Sequence, residues 1–206
     1  MIVKFDHISY SCSIKEEEKV RGMFEGYHVE FYETDLKNMP MKFPYMHAEQ
    51  EKHNIILLSK AGSYPVEITA YEICRQRQEG VFAKYVVKDD LIEIYSVNPK
   101  KTIEFFELVG MKMDEEGDLW IKPMLDERVL KIKVCQAEQG IKVHLDEEGF
   151  GSLAFVVDNA KRHKEQLLNG GVLCSEIEEL FVNGKKLKIF FTNSPTNEII
   201  EFIGLR

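Results

Sequence analysis

The stretch Asn193-Ser194-Pro195-Thr196-Asn197-Glu198-Ile199-Ile200-Glu201-Phe202 decides how the chain is read. A turn rich in Ser, Pro, Thr and Asn feeds a short apolar strand. Side chains alternate along a strand, so Ile200 and Phe202 share one face and Glu201 takes the other. The hydrophobes suit a packed core, and the carboxylate must face something polar. Tyr64-Pro65-Val66-Glu67-Ile68-Thr69 repeats the arrangement, with Glu67 between Val66 and Ile68. Each segment closes a unit that runs strand, helix, then further strands.

Three such units fill the chain, at residues 1–74, 84–136 and 150–206, with polar linkers at Arg75–Gly80 and Gly140–Gly149. Unit one opens with a strand from Val3 to Cys12. Phe5, His7, Ser9 and Ser11 share one face of it, and Asp6, Ile8, Tyr10 and Cys12 the other. Ser13 and Glu16 form a capping-box pattern ahead of a helix near Lys15–Met23. Strands follow at Tyr27–Tyr32, His53–Ser59 and Val66–Glu72, with an irregular stretch from Asp35 to Lys52. Unit two carries a strand at Leu91–Val97, then a helix opened by Asn98 and Pro99 and ended by Gly110. Its later strands are Leu119–Lys122 and Val129–Cys135, where Lys131 and Lys133 mark a solvated face. Unit three has a strand at Ser152–Val157 and a helix at Asn159–Leu168 with Asp158 as its cap. Strands near Val172–Phe181 and Lys185–Thr192 meet at a hairpin turn, Asn183-Gly184, before the closing strand Glu198–Gly204. Strands repeated around single helices predict an α+β protein with helices on one face of curved, antiparallel-rich sheets.

Composition narrows the function. A chain of 206 residues with 44% hydrophobic side chains can bury a substantial core. A net charge of −8 weighs against nucleic acid or an anionic membrane as partner. No run approaches the ~20 apolar residues of a membrane span. The amino terminus already reads as a strand, not a signal peptide, so a cytoplasmic protein is expected. Cys12, Cys74, Cys135 and Cys174 form no C-x-x-C pair, which argues against a zinc finger or redox dithiol and for a reducing compartment.

The repeats resemble the vicinal oxygen chelate superfamily, which includes glyoxalase I, bleomycin and fosfomycin resistance proteins and extradiol dioxygenases. Three segments carry the likeness: Asp6-His7-Ile8-Ser9-Tyr10 as an opening strand, the helix from Asn98 to Met111, and Ser194 to Phe202 as a closing strand. The resemblance implies three βαβββ-like modules forming cupped sheets, with metal ligands drawn from the first and last strands of two modules. Carried over, the first-strand positions are His7, Ile92 and Ser152, and the acids of the last strands are Glu67 and Glu201. Ser152 stands where a second histidine would be, and unit two has no ligand at either position.

The implied metal set is therefore His7, Glu67 and Glu201, holding Zn, Fe, Mn or Ni. Glu201 or Glu67 would serve as the catalytic proton carrier. Ser9, Ser11, Thr69, Tyr71 and Ser152 would line the substrate pocket. His28, His47, His53, His144 and His163 show no ligand spacing and read as surface positions, with His144 a weak substitute for the missing ligand. Tyr10, Phe31 and Phe155 read as core. Because only units one and three keep ligand-type residues, these two are expected to face each other. The expected function is a glyoxalase- or dioxygenase-like metal-dependent enzyme (lyase, isomerase, dioxygenase or thiol transferase) acting on a small oxygen-containing molecule. The alternatives are a metal-free sequestration protein of the bleomycin-resistance type and a degenerate module protein that serves assembly. The expected partner is a small-molecule ligand, with a homodimer left open.

Overall fold

The three units share one strand order. The computed structural model describes residues 1–77, 83–88, 91–125, 129–182 and 185–204. The first module comprises β1 (Ile2–Ser13), α1 (Glu17–Gly22), β2 (His28–Lys37), β3 (Lys52–Ser59) and β4 (Val66–Tyr71), arranged β1-β4-β3-β2. A separate strand, β5 (Tyr85–Lys88), precedes the second module. That module comprises β6 (Leu91–Ser96), α2 (Pro99–Val109), β7 (Lys112–Met113), β8 (Leu119–Ile121) and β9 (Leu130–Gln136), arranged β6-β9-β8-β7. The third comprises β10 (Gly149–Val157), α3 (Ala160–Asn169), β11 (Glu178–Val182), β12 (Lys185–Asn193) and β13 (Ile199–Gly204), arranged β10-β13-β12-β11. In each module the first strand runs parallel to the last, and the last is antiparallel to the one before it.

β1 and β10 pair antiparallel and fuse modules one and three into one eight-stranded curled sheet. Module two, between them in sequence, keeps its own five-stranded sheet. β5 lies antiparallel on the free edge of β6, where the first strand of a partner module would otherwise pair. That edge is therefore already satisfied.

Local sequence explains the helices. Asn98 accepts a hydrogen bond from the Lys101 amide at 3.2 Å, Pro99 sits in the first turn, and Gly110 adopts φ 116° to end α2. In α3 the cap is Asn159, accepting from the Arg162 amide at 2.9 Å, and not Asp158 as expected. Asp158 instead takes the Met1 amino group at 2.8 Å and the Arg162 guanidinium. The helix read near Lys15–Met23 is a 3-10 turn at Ile14–Glu16 followed by α1. The strand expected at Val172–Phe181 shrinks to β11, and the Asn183-Gly184 turn lies outside the described residues. The helices cover the outer face, over Ile8, Val66, Ile68, Leu153, Phe155, Ile200 and Phe202, all buried. Gly204 lets β13 approach α3, since a Cβ there would lie 2.6 Å from the Ala160 Cβ.

The turn before β13 also docks module two. Lys84 Nζ lies 2.5 Å from Glu198 Oε1 and donates to the Thr196 carbonyl at 3.0 Å. The Thr102 and Thr196 hydroxyls are 2.5 Å apart. Gln166 of α3 donates to the Leu108 carbonyl of α2 at 2.9 Å.

Pairing corrects the expected alignment of module two. Cys12, Ser96 and Val157 pair with Ala70, Gln136 and Gly204 on the respective last strands. Counting back from these pairs, His7 matches Leu91 and Ser152, while Glu67 and Glu201 match Lys133. The position is thus Leu91, not Ile92. Buried Ile92 and Ile94 lie beneath α2, and Glu93, Tyr95, Lys131 and Lys133 share the opposite face.

Candidate functional site

At the β1–β10 seam, strand irregularity sets the geometry. The register shifts between Phe5 and His7, so Asp6 is an extra residue in β1. The shift breaks the simple alternation expected for this strand. Phe5 packs edge-on against Phe155 and Tyr64, on the helix side. Asp6 and His7 both reach the cup, where Asp6 was expected to face away. Asp6 Oδ2 accepts from His7 Nδ1 at 3.0 Å, which leaves Nε2 aimed inward.

His7 Nε2 is buried without a hydrogen-bond partner. Glu67 Oε2 lies 3.6 Å from it and Glu201 Oε2 3.8 Å, one from each module. The three residues are thus brought together, although their ligand atoms do not form a cluster as tight as 4.8 Å throughout. Burial disfavours a charged His7, but Glu67, Asp6 and Glu201 outweigh it and lift the imidazole to about 9. Burial pushes Glu201 up to about 7, with His7 opposing and Glu67 reinforcing. Burial also works against the Asp6 carboxylate, yet the His7 contact holds it below its ordinary value. Thr69 Oγ1 donates to Glu67 Oε1 at 3.0 Å and orients that carboxylate.

These groups open onto a cavity of about 370 Å³ between the two modules. Its walls mix apolar side chains of both, including Phe31, Leu57, Leu187 and Ile189, with the charged Glu30, Glu33 and Lys185, and Met39 and Lys42 are contributed by the 38–50 loop. Phe31, read from sequence as core, is therefore a cavity wall. Such a size and lining suit one small ligand.

The other half of the cup is filled. Tyr45 packs on Phe191, the β12 neighbour of Glu201, at 5.7 Å between ring centroids. A Cβ on Gly151 would meet Val143 Cγ1 at 3.7 Å and both the His144 carbonyl and Ser9 Oγ at 3.8 Å, so the 141–148 linker lies over Ser9. Ser9, Ser11, Thr69, Tyr71 and Ser152 are buried, and none lines the cavity. The Ser9 and Ser152 hydroxyls bond each other at 2.7 Å, and Tyr71 stacks on His53. The pocket expected from these five is displaced toward β2, β3, β11 and β12.

No family model matches the chain, and no curated protein matches it. Solved structures do show a likeness. Methylmalonyl-CoA epimerase from Mycobacterium tuberculosis is 11% identical over 98% of this chain and 88% of its own, with a TM-score of 0.46. Glyoxalase I from Zea mays is 11% identical over 99% of this chain and 68% of its own, with a TM-score of 0.38. A Bacillus subtilis dioxygenase-like structure is 11% identical with a TM-score of 0.40, and the chain spans only 63% of its length. These identities and scores are low, and the likeness rests on this chain's own topology of paired βαβββ modules. The topology itself agrees with the expected repeat: each module runs strand, helix and three further strands, and modules one and three share one sheet.

Several residues of interest escaped the sequence reading. Asp6 was hidden by the bulge, which depends on the partner strand. Lys42 is buried with its Nζ 3.2 Å from His53 Nε2. His53 and His163 are buried, against the expected surface positions. Burial, with Lys42 adding to it, pushes His53 down to about 2. His144 does not complete the His7 set; it stacks on His47 at 3.8 Å between centroids. No described helix is long and apolar enough to cross a membrane.

Proposed function

We propose that the protein is a metal-dependent enzyme of the glyoxalase or dioxygenase kind, acting on a small oxygen-containing molecule held between modules one and three. The observation that carries this reading is the orphaned His7 Nε2, buried and facing Glu67 and Glu201 at the floor of a ligand-sized cavity. One imidazole and two carboxylates fit a divalent ion such as Zn, Fe, Mn or Ni, with positions left open. When bound, the ion would supply a Lewis acid for a substrate oxygen. His7 is oriented for that role by Asp6, and Glu67 by Thr69. Where Glu201 serves as proton carrier instead of ligand, its burial disfavours the charged carboxylate and so favours taking up a proton beside the ion. The apolar side chains of the cavity would hold the rest of the ligand.

A metal-free sequestration role is the second reading. It is favoured by Ser152, whose hydroxyl is engaged by Ser9 and offers no fourth ligand. Without an ion, a protonated His7 between two carboxylates would itself be a satisfied polar floor.

Metal content of the purified protein separates the two. The enzyme reading expects wild type to hold one tightly bound ion more than His7→Ala, with a folded circular dichroism spectrum retained in the variant. Unchanged metal content in His7→Ala, or a wild type that stays metal-free in the presence of each candidate ion, would refute it.

A further inference from the structure

A second group of potential ligands sits where the 38–50 loop crosses the linker to module three. The imidazoles of His47 and His144 stack at 3.8 Å with planes 25° apart. Their ligand nitrogens and an Asp146 carboxylate oxygen lie within 4.8 Å of one another. Ligands at ~2.0–2.1 Å around a tetrahedral ion are ~3.3 Å apart, so binding would draw the three ligand atoms together and swing the two stacked rings apart until their in-plane lone pairs converge. His144 Nδ1 is buried with no hydrogen-bond partner.

The carboxylate is already aimed. Asp146 accepts from the His47 amide at 2.8 Å, the Ala48 amide at 3.3 Å and the Gln50 side chain at 3.5 Å. The backbone is anchored on both sides of the crossing. Leu145 donates to the Tyr45 carbonyl at 2.8 Å, and Arg75 donates to the Asp146 carbonyl at 2.9 Å. Glu147 Oε2 lies 3.8 Å from His47 Nε2 and is within reach as a fourth ligand.

We propose that His47, His144 and Asp146 form a structural divalent-cation site that clasps the 38–50 loop to the 141–148 linker over the filled half of the cup. Two imidazoles and one carboxylate select Zn²⁺ and its neighbours Co²⁺ and Ni²⁺ over Mg²⁺ or Ca²⁺. The ion satisfies the orphaned nitrogen and ties together segments about a hundred residues apart in sequence, closing a long loop. This clasp is separate from the His7 centre and does not depend on it.

The test uses full-length His7→Ala protein, which removes the other centre, titrated with Zn²⁺ by calorimetry and with Co²⁺ by visible absorbance. The expected result is one equivalent bound, a tetrahedral Co²⁺ spectrum and a higher melting temperature with Zn²⁺. Adding His144→Asn should abolish all three. His47→Asn, at the more exposed of the two histidines, should do the same if His144→Asn fails to fold. A His7→Ala protein that binds no Zn²⁺, or binding that survives His47→Asn, overturns the proposal. Failure of the enzyme reading would appear elsewhere, as equal metal content in wild type and His7→Ala.

Discussion

His163 is a buried side chain with a pH-dependent cost. Its ring lies 4.6 Å from Phe202 under α3, and neither nitrogen has a hydrogen-bond partner. Burial first, and the chain's amino terminus second, push it down to about 4. The folded protein therefore holds it neutral while the unfolded chain begins to protonate near pH 6.5. Its contribution to stability is complete above pH 6.5 and is lost as pH falls toward 4, by up to about 3 kcal/mol. His163→Leu should flatten that decline. Urea denaturation at pH 7.5 and 4.5 checks it: the variant should gain on wild type at the lower pH, and parallel losses would refute the assignment. Asp6 teaches the complementary lesson at this scale. Its identity was plain in the sequence, but its face was not, because a bulge is a property of two strands together.

At the scale of elements, the contact of α3 with β13 is set by one small residue. A methyl at position 204 would meet Ala160 Cβ at 2.6 Å and its backbone nitrogen at 3.0 Å, and backbone cannot simply rotate away. Gly204→Ala should cost about 1–3 kcal/mol through overpacking. Gly22→Ala is the control, since nothing lies within 4 Å of a Cβ there, and in α1 it should gain about 0.5–1 kcal/mol. Equal denaturation midpoints for the two variants would rule out the close approach. The helices themselves were legible because their signals are local. Asn98, Pro99 and Gly110 are cap, first turn and stop within one short window. β5 was missed because its pairing partner, not its own four residues, makes it a strand.

For the whole molecule, the question is what holds module two against the fused cup. Lys84 and Glu198 are both fully buried, and the pair sits at the junction with the Thr196 carbonyl. Lys84→Met would strand a buried carboxylate and should cost about 3–5 kcal/mol. The double change Lys84→Met with Glu198→Leu should recover much of that loss, because two apolar groups leave no unpaired charge. Chemical denaturation of the set gives the coupling. Additive losses would show that the pair does not act as a unit, and the junction would then rest on Thr102, Thr196 and the α2–α3 contact.

The alternation of Glu67 and Glu201 with apolar neighbours, the three repeats and the capped α2 were written in the chain itself, because each depends on residues a few positions apart. From these came the curved α+β modules; the choice of His7, Glu67 and Glu201 as residues to watch came from the resemblance to the vicinal oxygen chelate superfamily, and with it the expectation that modules one and three face each other. Tertiary structure decided what lies far apart in sequence. It joined module one to module three through β1 and β10, and turned Asp6 toward His7. It filled half of the cup with the 38–50 loop and the 141–148 linker, moving the cavity away from Ser9, Ser11, Thr69, Tyr71 and Ser152. It also brought His47 to His144. Local periodicity constrains which way a side chain can point relative to its neighbours; only long-range pairing and packing determine what it then meets.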